Sequence, residues 1–366
     1  MKNILFICNI SLKNPIRGTP LRIYNFLNQI RKKNNLFICT KDINEDLNIS
    51  FIPYPGYKGL KKIIYFINII KQNKINLLLA STETGIKLPI LLKFFSGVKI
   101  IIDLHGIYAE ELYFKKSISK LNKILLIYYI KFYLSFYDLI FVISKKLKNY
   151  YKNINGNIEV IYGGVDLKKF KKITKSIDSD IFAIGYAGNC QEYQGFNYLL
   201  QVAKNIKKKK LFKFKLNLVL SGNRDKINQI LKYYDLYNEA ILHFNIKHEK
   251  VNNILSNSDI LVIARPNIKM TEYAYPSKLP EYLATGIPTI ITNVGPINEL
   301  FINNDYCMVI NHNNINQDLE SAIIVLQKMS REERKIMGDK AIEFVSKNLT
   351  WDILGKKINK YLNELN

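Results

Sequence analysis

Residues 259–299 read DILVIARPNIKMTEYAYPSKLPEYLATGIPTIITNVGPINE. Apart from Asp259, the run 259–264 is uninterruptedly apolar, and so, with its threonines, is 287–292. Neither alternates polar with apolar, which is the pattern of a parallel strand covered on both faces. Between them, 278–285 has helical character, and Gly286 followed by Ile287-Pro288 supplies the stop before the next strand. Strand, crossover helix and strand in this order predict a βαβ unit and an α/β fold.

The same pattern extends in both directions. Upstream, strands are expected at 3–10, 35–40, 75–81, 98–104, 138–143 and 158–162, with crossovers at 20–33, 60–73, 86–96, 117–136 and 144–153. A second series has strands at 181–187, 214–221, 240–245, 259–264, 287–292 and 307–310, with helices near 196–210, 224–236, 248–256 and 278–285. The intervening stretch 163–180, GGVDLKKFKKITKSIDSD, is rich in glycine and polar residues and reads as a domain boundary. Two doubly wound, Rossmann-like domains follow, 1–170 and 171–345, with a terminal helical segment at 346–366. Ligands of such sheets lie outside the carboxyl ends of the strands, so two facing domains are expected to form a cleft there. Two helices at 313–328 and 331–347 precede a last amphipathic one carrying Trp351, Ile353, Leu354, Ile358 and Leu362. The run 124–143 nearly reaches transmembrane length, but Lys131 and Asp138 interrupt it. It reads better as a helix followed by a buried strand, with shallow interfacial binding left open by the Tyr and Lys content of 113–152.

The 366 residues are 48% hydrophobic and 23% charged, which suits two folded domains and excludes a disordered chain. Cys8, Cys39, Cys190 and Cys307 are dispersed and form no CxxC pair, so neither a zinc site nor a disulfide framework is expected. The chain opens almost directly on a strand, so a cytoplasmic location is the default. Of the net charge of +24, most lies in residues 1–175, which hold 30 Lys and Arg against 10 Asp and Glu. Such a half attracts an anionic partner: a membrane surface, a nucleic acid or a charged polymer. A lysine-rich solvated face accounts for it equally, and no nucleic-acid recognition motif is present.

Three places could carry chemistry. Gly18 and Pro20 make a turn into a helix whose free amides could meet an anion, with Arg17 and Arg22 as charge partners; the same residues also suit a plain turn and cap. The segment is not GxGxxG, so no dinucleotide fingerprint is present. His105 and Gly106 follow the strand 98–104, where an imidazole can bond sugar hydroxyls or a departing phosphate, or cap local backbone. Glu281 lies three residues after Lys278 on one helical face. Its carboxylate can accept from two ribose hydroxyls while the ammonium meets phosphate, unless the two simply pair. Gly295 and Pro296 begin a further turn that could approach a ligand.

The order of these motifs resembles the retaining glycosyltransferases of family 4, of GT-B architecture, over nearly the whole chain. Ser277–Glu299 looks like that family's lysine–glutamate–tyrosine helix, glycine-proline turn and phosphate-side loop. IEVIYGGVDLKKF (158–170) resembles its domain boundary, with Tyr162 for the usual proline and Gly163 for asparagine, and AGNCQEYQGFNYLL resembles the first loop of its donor domain. The resemblance implies a donor-binding domain at 171–345, an acceptor-binding domain at 1–170 and a final helix that returns to the first domain. It also implies that Glu281 contacts ribose, that Gly18 lies near diphosphate or acceptor, and that His105 faces the donor sugar. The sequence departs from the family where Asn189 and Gln194 stand in place of a common Arg and Lys. It departs again where Tyr273 occupies the place of a common Glu, with Glu272 one residue earlier. Arg265 and Lys278 could supply the missing charge.

The expected reaction moves a glycosyl group from a nucleoside-diphosphate sugar to a hydroxyl of a glycan or lipid-linked glycan, with retention. His105, Lys278 and Arg265 are the candidate catalytic groups. Gly18, Asn189, Gln194, Glu272, Lys278, Glu281 and Gly295 are the candidate donor-binding ones. No metal and no tightly bound cofactor is expected. The inner face of the cell membrane, with its anionic surface, suits the basic half. An inactive sugar-nucleotide or glycan-binding protein is the main alternative, followed by an epimerase of related design and, less in keeping with the sequence, a nucleic-acid binder.

Overall fold

The computed structural model describes residues 1–13, 18–43, 49–82, 85–173, 181–301 and 305–365. It divides into two compact units. The first comprises Met1–Gly163, Tyr273–Tyr275 and Trp351–Asn366, and the second Gly164–Glu272 and Pro276–Thr350. Arg17 and the end of the boundary segment, 174–180, lie outside the described residues.

The first unit contains β1 (Asn3–Ile7), β2 (Ser11–Leu12), β3 (Asn35–Thr40), β4 (Asp42–Ile43), β5 (Ser50–Pro53), β6 (Leu77–Ser81), β7 (Lys99–Leu104), β8 (Leu139–Val142) and β9 (Ile158–Val160). Seven of these form one sheet in the order β5-β3-β1-β6-β7-β8-β9, while β2 and β4 pair separately. All pairings are parallel, with Phe6 opposite Ile38 on one side and Leu79 on the other. Every residue of β6 and β8 is buried, which is why those runs are continuously apolar. The sequence gives little sign of β5. It is an edge strand, largely exposed and ending in Pro53, so it has neither the apolar run nor the alternation that marks an inner strand.

The helix Gly18–Ile30 buries Ile23, Phe26, Leu27 and Ile30. They share one core with Trp351, Leu354, Ile358 and Leu362 of the last helix, Trp351–Glu364. Each such side chain contributes about 1.5–3 kcal/mol by leaving water. Asn359 adds direction, donating to the Gln29 carbonyl at 3.0 Å and accepting from Asn34 at 2.8 Å.

The stretch 117–136 holds one helix, and a shorter one precedes it. Tyr108–Phe114 is followed by Lys120–Leu134, whose start is capped by Ser119 accepting from the Asn122 amide at 3.2 Å. The chain then enters β8 past Asp138, which pairs with Lys93 at 2.8 Å and accepts from the Ile100 amide. The near-transmembrane run therefore splits between Leu134 and Asp138, with Lys131 inside the helix, and no helix among the described residues is long and apolar enough to cross a membrane.

The second unit has β10 (Phe182–Asn189), β11 (Phe214–Ser221), β12 (Ala240–Phe244), β13 (Ile260–Ile263), β14 (Thr289–Thr292) and β15 (Met308–Ile310). They form a parallel sheet in the order β12-β11-β10-β13-β14-β15. The helices Phe196–Lys208 and Ile315–Lys328 share its core, through Leu199, Leu200 and Ala203 with Leu319, Ile323 and Leu326. Between β13 and β14 a short helix, Lys269–Tyr273, precedes the one expected at 278–285 and is not itself expected from the sequence.

In both sheets the strand order reverses once, between β1 and β6 in the first and between β10 and β13 in the second. Crossovers diverge to opposite sides at such a point, leaving the carboxyl edge open to a ligand. The candidate residues concentrate at these two edges.

Candidate functional site

In the second unit the carboxyl ends of three neighbouring strands carry Asn189 (β10), Arg265 (two residues after β13) and Gly295 (three after β14). Asn189 turns the chain by accepting from the Gln191 amide at 3.1 Å, and Gln194 closes a single 3-10 turn, Glu192–Gln194. Gly195 then opens the helix Phe196–Lys208 in the left-handed region, at φ 74°, with its Cα against the Ala264 carbonyl. A Cβ there would sit 1.7 Å from that oxygen. Gly195→Ala is therefore expected to cost about 3 kcal/mol, from the strained dihedral and the backbone collision together, read as a lower thermal midpoint.

This packing holds the β10 loop against the residue before Arg265. The arginine is buried, with its carbonyl fixed by the Thr292 hydroxyl at 2.8 Å. Burial lowers its guanidinium to about 10, against the opposing influence of Tyr193 and Tyr186. Lys278 stands at the N-terminal boundary of the helix Leu279–Ala284. Its ammonium lies 4.3 Å from the centre of the Tyr186 ring and against Gly188, where a Cβ would come within 2.8 Å of Nζ. Nζ is buried and has no hydrogen-bond partner among the described residues. Burial and the neighbouring Arg265 pull it down to about 7, although Glu281 opposes the shift. Tyr186 remains a neutral phenol, pushed well above its ordinary value mainly by burial, and donates to the Asn189 carbonyl. The site thus keeps two buried cationic groups close to each other beside a strand end, a costly arrangement that an anion would relieve.

Glu281 does not pair with Lys278. Its Oε1 accepts from His248 Nε2 at 2.8 Å, and the imidazole ring packs 5.0 Å from that of Phe170. Oε2 takes no hydrogen bond among the described residues, leaving a fixed carboxylate with one oxygen to offer. His248 comes from the start of a helix 33 residues upstream, and no short-range spacing reveals it. Glu272 sits on the Lys269–Tyr273 helix and pairs with Lys269 at 3.0 Å.

In the first unit Gly18 opens its helix at a left-handed φ of 64°. Arg22, one turn further on, is no anion receptor. Its Nε and Nη2 grip Asp103 at 3.0 and 2.9 Å, and its Nη1 and Nη2 donate to the carbonyls of Tyr162 and Ile161. Four of its five N–H groups are turned to these internal acceptors, so the helix is tied to β7 and to the end of β9. Burial alone would raise the Asp103 carboxyl, but Arg22 and His105 outweigh it and hold the group well below the usual carboxylate range. An ionised carboxylate can only accept, so His105 Nε2, 2.7 Å from Oδ2, carries the proton. In the neutral ring Nδ1 is then an acceptor, and it is buried with no partner among the described residues. Asp103 and His105 are two apart at a strand end, a spacing that puts them on one side. That signal was available in the sequence, whereas Tyr186 and His248 gave none.

Two family models match the chain. Residues 24–169 match Glycosyltransferase Family 4, and residues 166–344 match Glycosyl transferases group 1. No curated protein matches in sequence. Among solved structures, sucrose-phosphate synthase from Thermosynechococcus elongatus aligns over 100% of this chain and 99% of its own, with a TM-score of 0.78 at 14% identity. A glycosyltransferase from Rickettsia africae covers 100% and 99%, with 0.75 at 17%, and Anabaena HepE in complex with UDP-glucose covers 100% of both, with 0.77 at 13%. At such identities the likeness establishes the GT-B fold alone, while the two family matches, joined end to end, cover the chain from residue 24 to 344. The chain belongs to the GT-B glycosyltransferases of the family 4 type.

Proposed function

We propose that the protein transfers a hexosyl group, with retained anomeric configuration, from a nucleoside-diphosphate sugar to a hydroxyl of a glycan or lipid-linked glycan. The observation that carries this reading is the buried, unpartnered ammonium of Lys278 beside Arg265 at the switch point of the second sheet. In this reading residues 171–345 bind the donor and 1–170 the acceptor. As the glycosidic bond breaks, negative charge accumulates on the diphosphate, and fixed cations in a dry pocket stabilise it without having to reorganise. Lys278 and Arg265 take the place of the Arg and Lys that family members commonly carry where Asn189 and Gln194 stand. Gly295, Gly18 and Glu272 remain assigned to the donor by motif position. Anabaena HepE, of the same fold, has been seen with UDP and UDP-glucose, which supports a nucleoside-diphosphate donor. The sugar falls to His105, whose Nδ1 accepts a hydroxyl hydrogen. The donor acts as a co-substrate and no resident cofactor is invoked. A cytoplasmic protein at the inner face of the membrane fits the lipid-linked acceptor.

The direct test is product detection with a panel of nucleotide sugars and acceptors, with the new linkage read by NMR. Release of nucleoside diphosphate with an inverted linkage rejects retention, and no turnover with any donor favours the inactive binding protein suggested by Asn189 and Gln194. Glu281→Ala is expected to raise the donor KM about 10–100-fold with a smaller change in kcat. It removes a charged acceptor used equally in the ground and transition states. An unchanged KM would reject ribose recognition.

A further inference from the structure

The helix Lys120–Leu134 has its polarity inside out. Only Ile130 and Leu134 are buried, although most of its residues are apolar. At 100° per residue, Leu121, Leu125, Tyr128 and Phe132 fall on one stripe, and that stripe faces solvent, at 65%, 58%, 68% and 61% exposure. Phe94 and Phe95 extend the surface from the end of the neighbouring helix Lys87–Ser96. They follow Lys93, which bonds the Phe136 carbonyl at 2.9 Å, and they are 82% and 55% exposed. Isolated exposed apolar residues need no explanation, but a stripe running ~17 Å along a helix does.

Charge identifies the occupant. Residues 113–152 contain nine lysines and a single acidic residue, Asp138. Lys115, Lys116 and Lys120 are exposed at the entry to the helix. A second copy of the chain packed on this face by a twofold axis would press two such lysine-rich surfaces together. An anionic bilayer offers acyl chains to the stripe and headgroup phosphates to the lysines at once, and tyrosine suits the boundary between them.

We propose that the outward stripe of Lys120–Leu134, with Phe94 and Phe95, lies in the headgroup layer of an anionic lipid bilayer. The assignment extends the lipid-linked acceptor reading. Its test contains neither donor nor acceptor, so either can fail without the other.

The full chain is sedimented with vesicles of phosphatidylcholine alone and of phosphatidylcholine mixed with phosphatidylglycerol. The parent is expected to bind the mixed vesicles, more weakly as salt rises, and L125E/F132E to lose at least about tenfold in partitioning. K115Q/K116Q/K120Q is expected to lose about a hundredfold on mixed vesicles and little on neutral ones. Both sets alter exposed side chains, and an unchanged thermal midpoint confirms that each is folded. Failure of the parent to bind mixed vesicles, or binding of L125E/F132E equal to the parent's, overturns the proposal. So does a parent dimer, by light scattering, that L125E/F132E dissociates in the absence of any vesicle binding.

Discussion

Lys278→Met is expected to make the second unit more stable and the protein far poorer at binding its donor. The native amine is buried without a hydrogen bond and sits near 7 rather than 10.5 because burial and Arg265 disfavour its charge. A lysine depressed in the folded state penalises folding wherever the unfolded chain would hold the proton. The penalty is absent above about pH 10.5, grows as pH falls, and is complete below about 7. Methionine keeps the apolar stem and removes the cost, so the gain at pH 7 is about 2–4 kcal/mol, and it should shrink as pH rises towards 10. Donor diphosphate acts in the opposite sense by favouring the charged amine. Binding above pH 7 should therefore take up close to one proton, and affinity should fall up to about tenfold per pH unit there. Calorimetry in two buffers of different ionisation enthalpy reads that proton, and thermal melting reads the stability. A variant less stable than the parent, or donor binding with no proton exchange at pH 8, would show that the amine is not poised in this way.

Asp103→Asn is expected to damage the first unit and the reaction together. The carboxylate neutralises the buried Arg22 guanidinium and accepts from His105, and the amide can do only part of the second. Leaving a buried cation without its counter-charge costs about 3–5 kcal/mol. The stability that the pair supplies is complete above the unfolded carboxyl's value of about 4, and is lost progressively as acid protonates the group. Asparagine should abolish that acid-dependent part of the melting curve. It also releases the imidazole tautomer, since an amide can donate to Nε2 as well as accept from it. The Nδ1 acceptor is then no longer fixed, and kcat should fall about a hundredfold. Comparison with His105→Ala separates the two effects. If Asp103→Asn melts like the parent and matches its kcat, the carboxylate holds neither group.

How far the sequence carried these conclusions depends on where each residue's partner lies. The buried strands were legible because burial on both faces demands continuous apolar runs, as in LLLAS of β6 and LIFV of β8. β5 escaped because an edge strand need satisfy neither rule, and the Lys269–Tyr273 helix because five residues between Pro266 and Pro276 carry no period. Helical spacing singled out Lys278 and Glu281 as donor-binding candidates and left a mutual pair open. The actual partner of Glu281 is His248, brought in by a crossover. Arg22 was misjudged for the same reason. Its acceptors lie 81 to 140 residues away, and only the fold of the sheet reveals that its charge is already taken. Local chemistry can be read from spacing, whereas electrostatic balance depends on which distant strands become neighbours.

The first unit is discontinuous, and that sets a timetable for synthesis. The nascent chain delivers β1 to β9 early, but the helix that covers Ile23, Phe26, Leu27 and Ile30 emerges only after residues 164–350 have been made. At ordinary translation rates that interval is on the order of 10–40 s. Throughout it, the half-finished lobe carries a bare oily groove, for which chaperones would be the natural cover until Trp351–Glu364 leaves the ribosome.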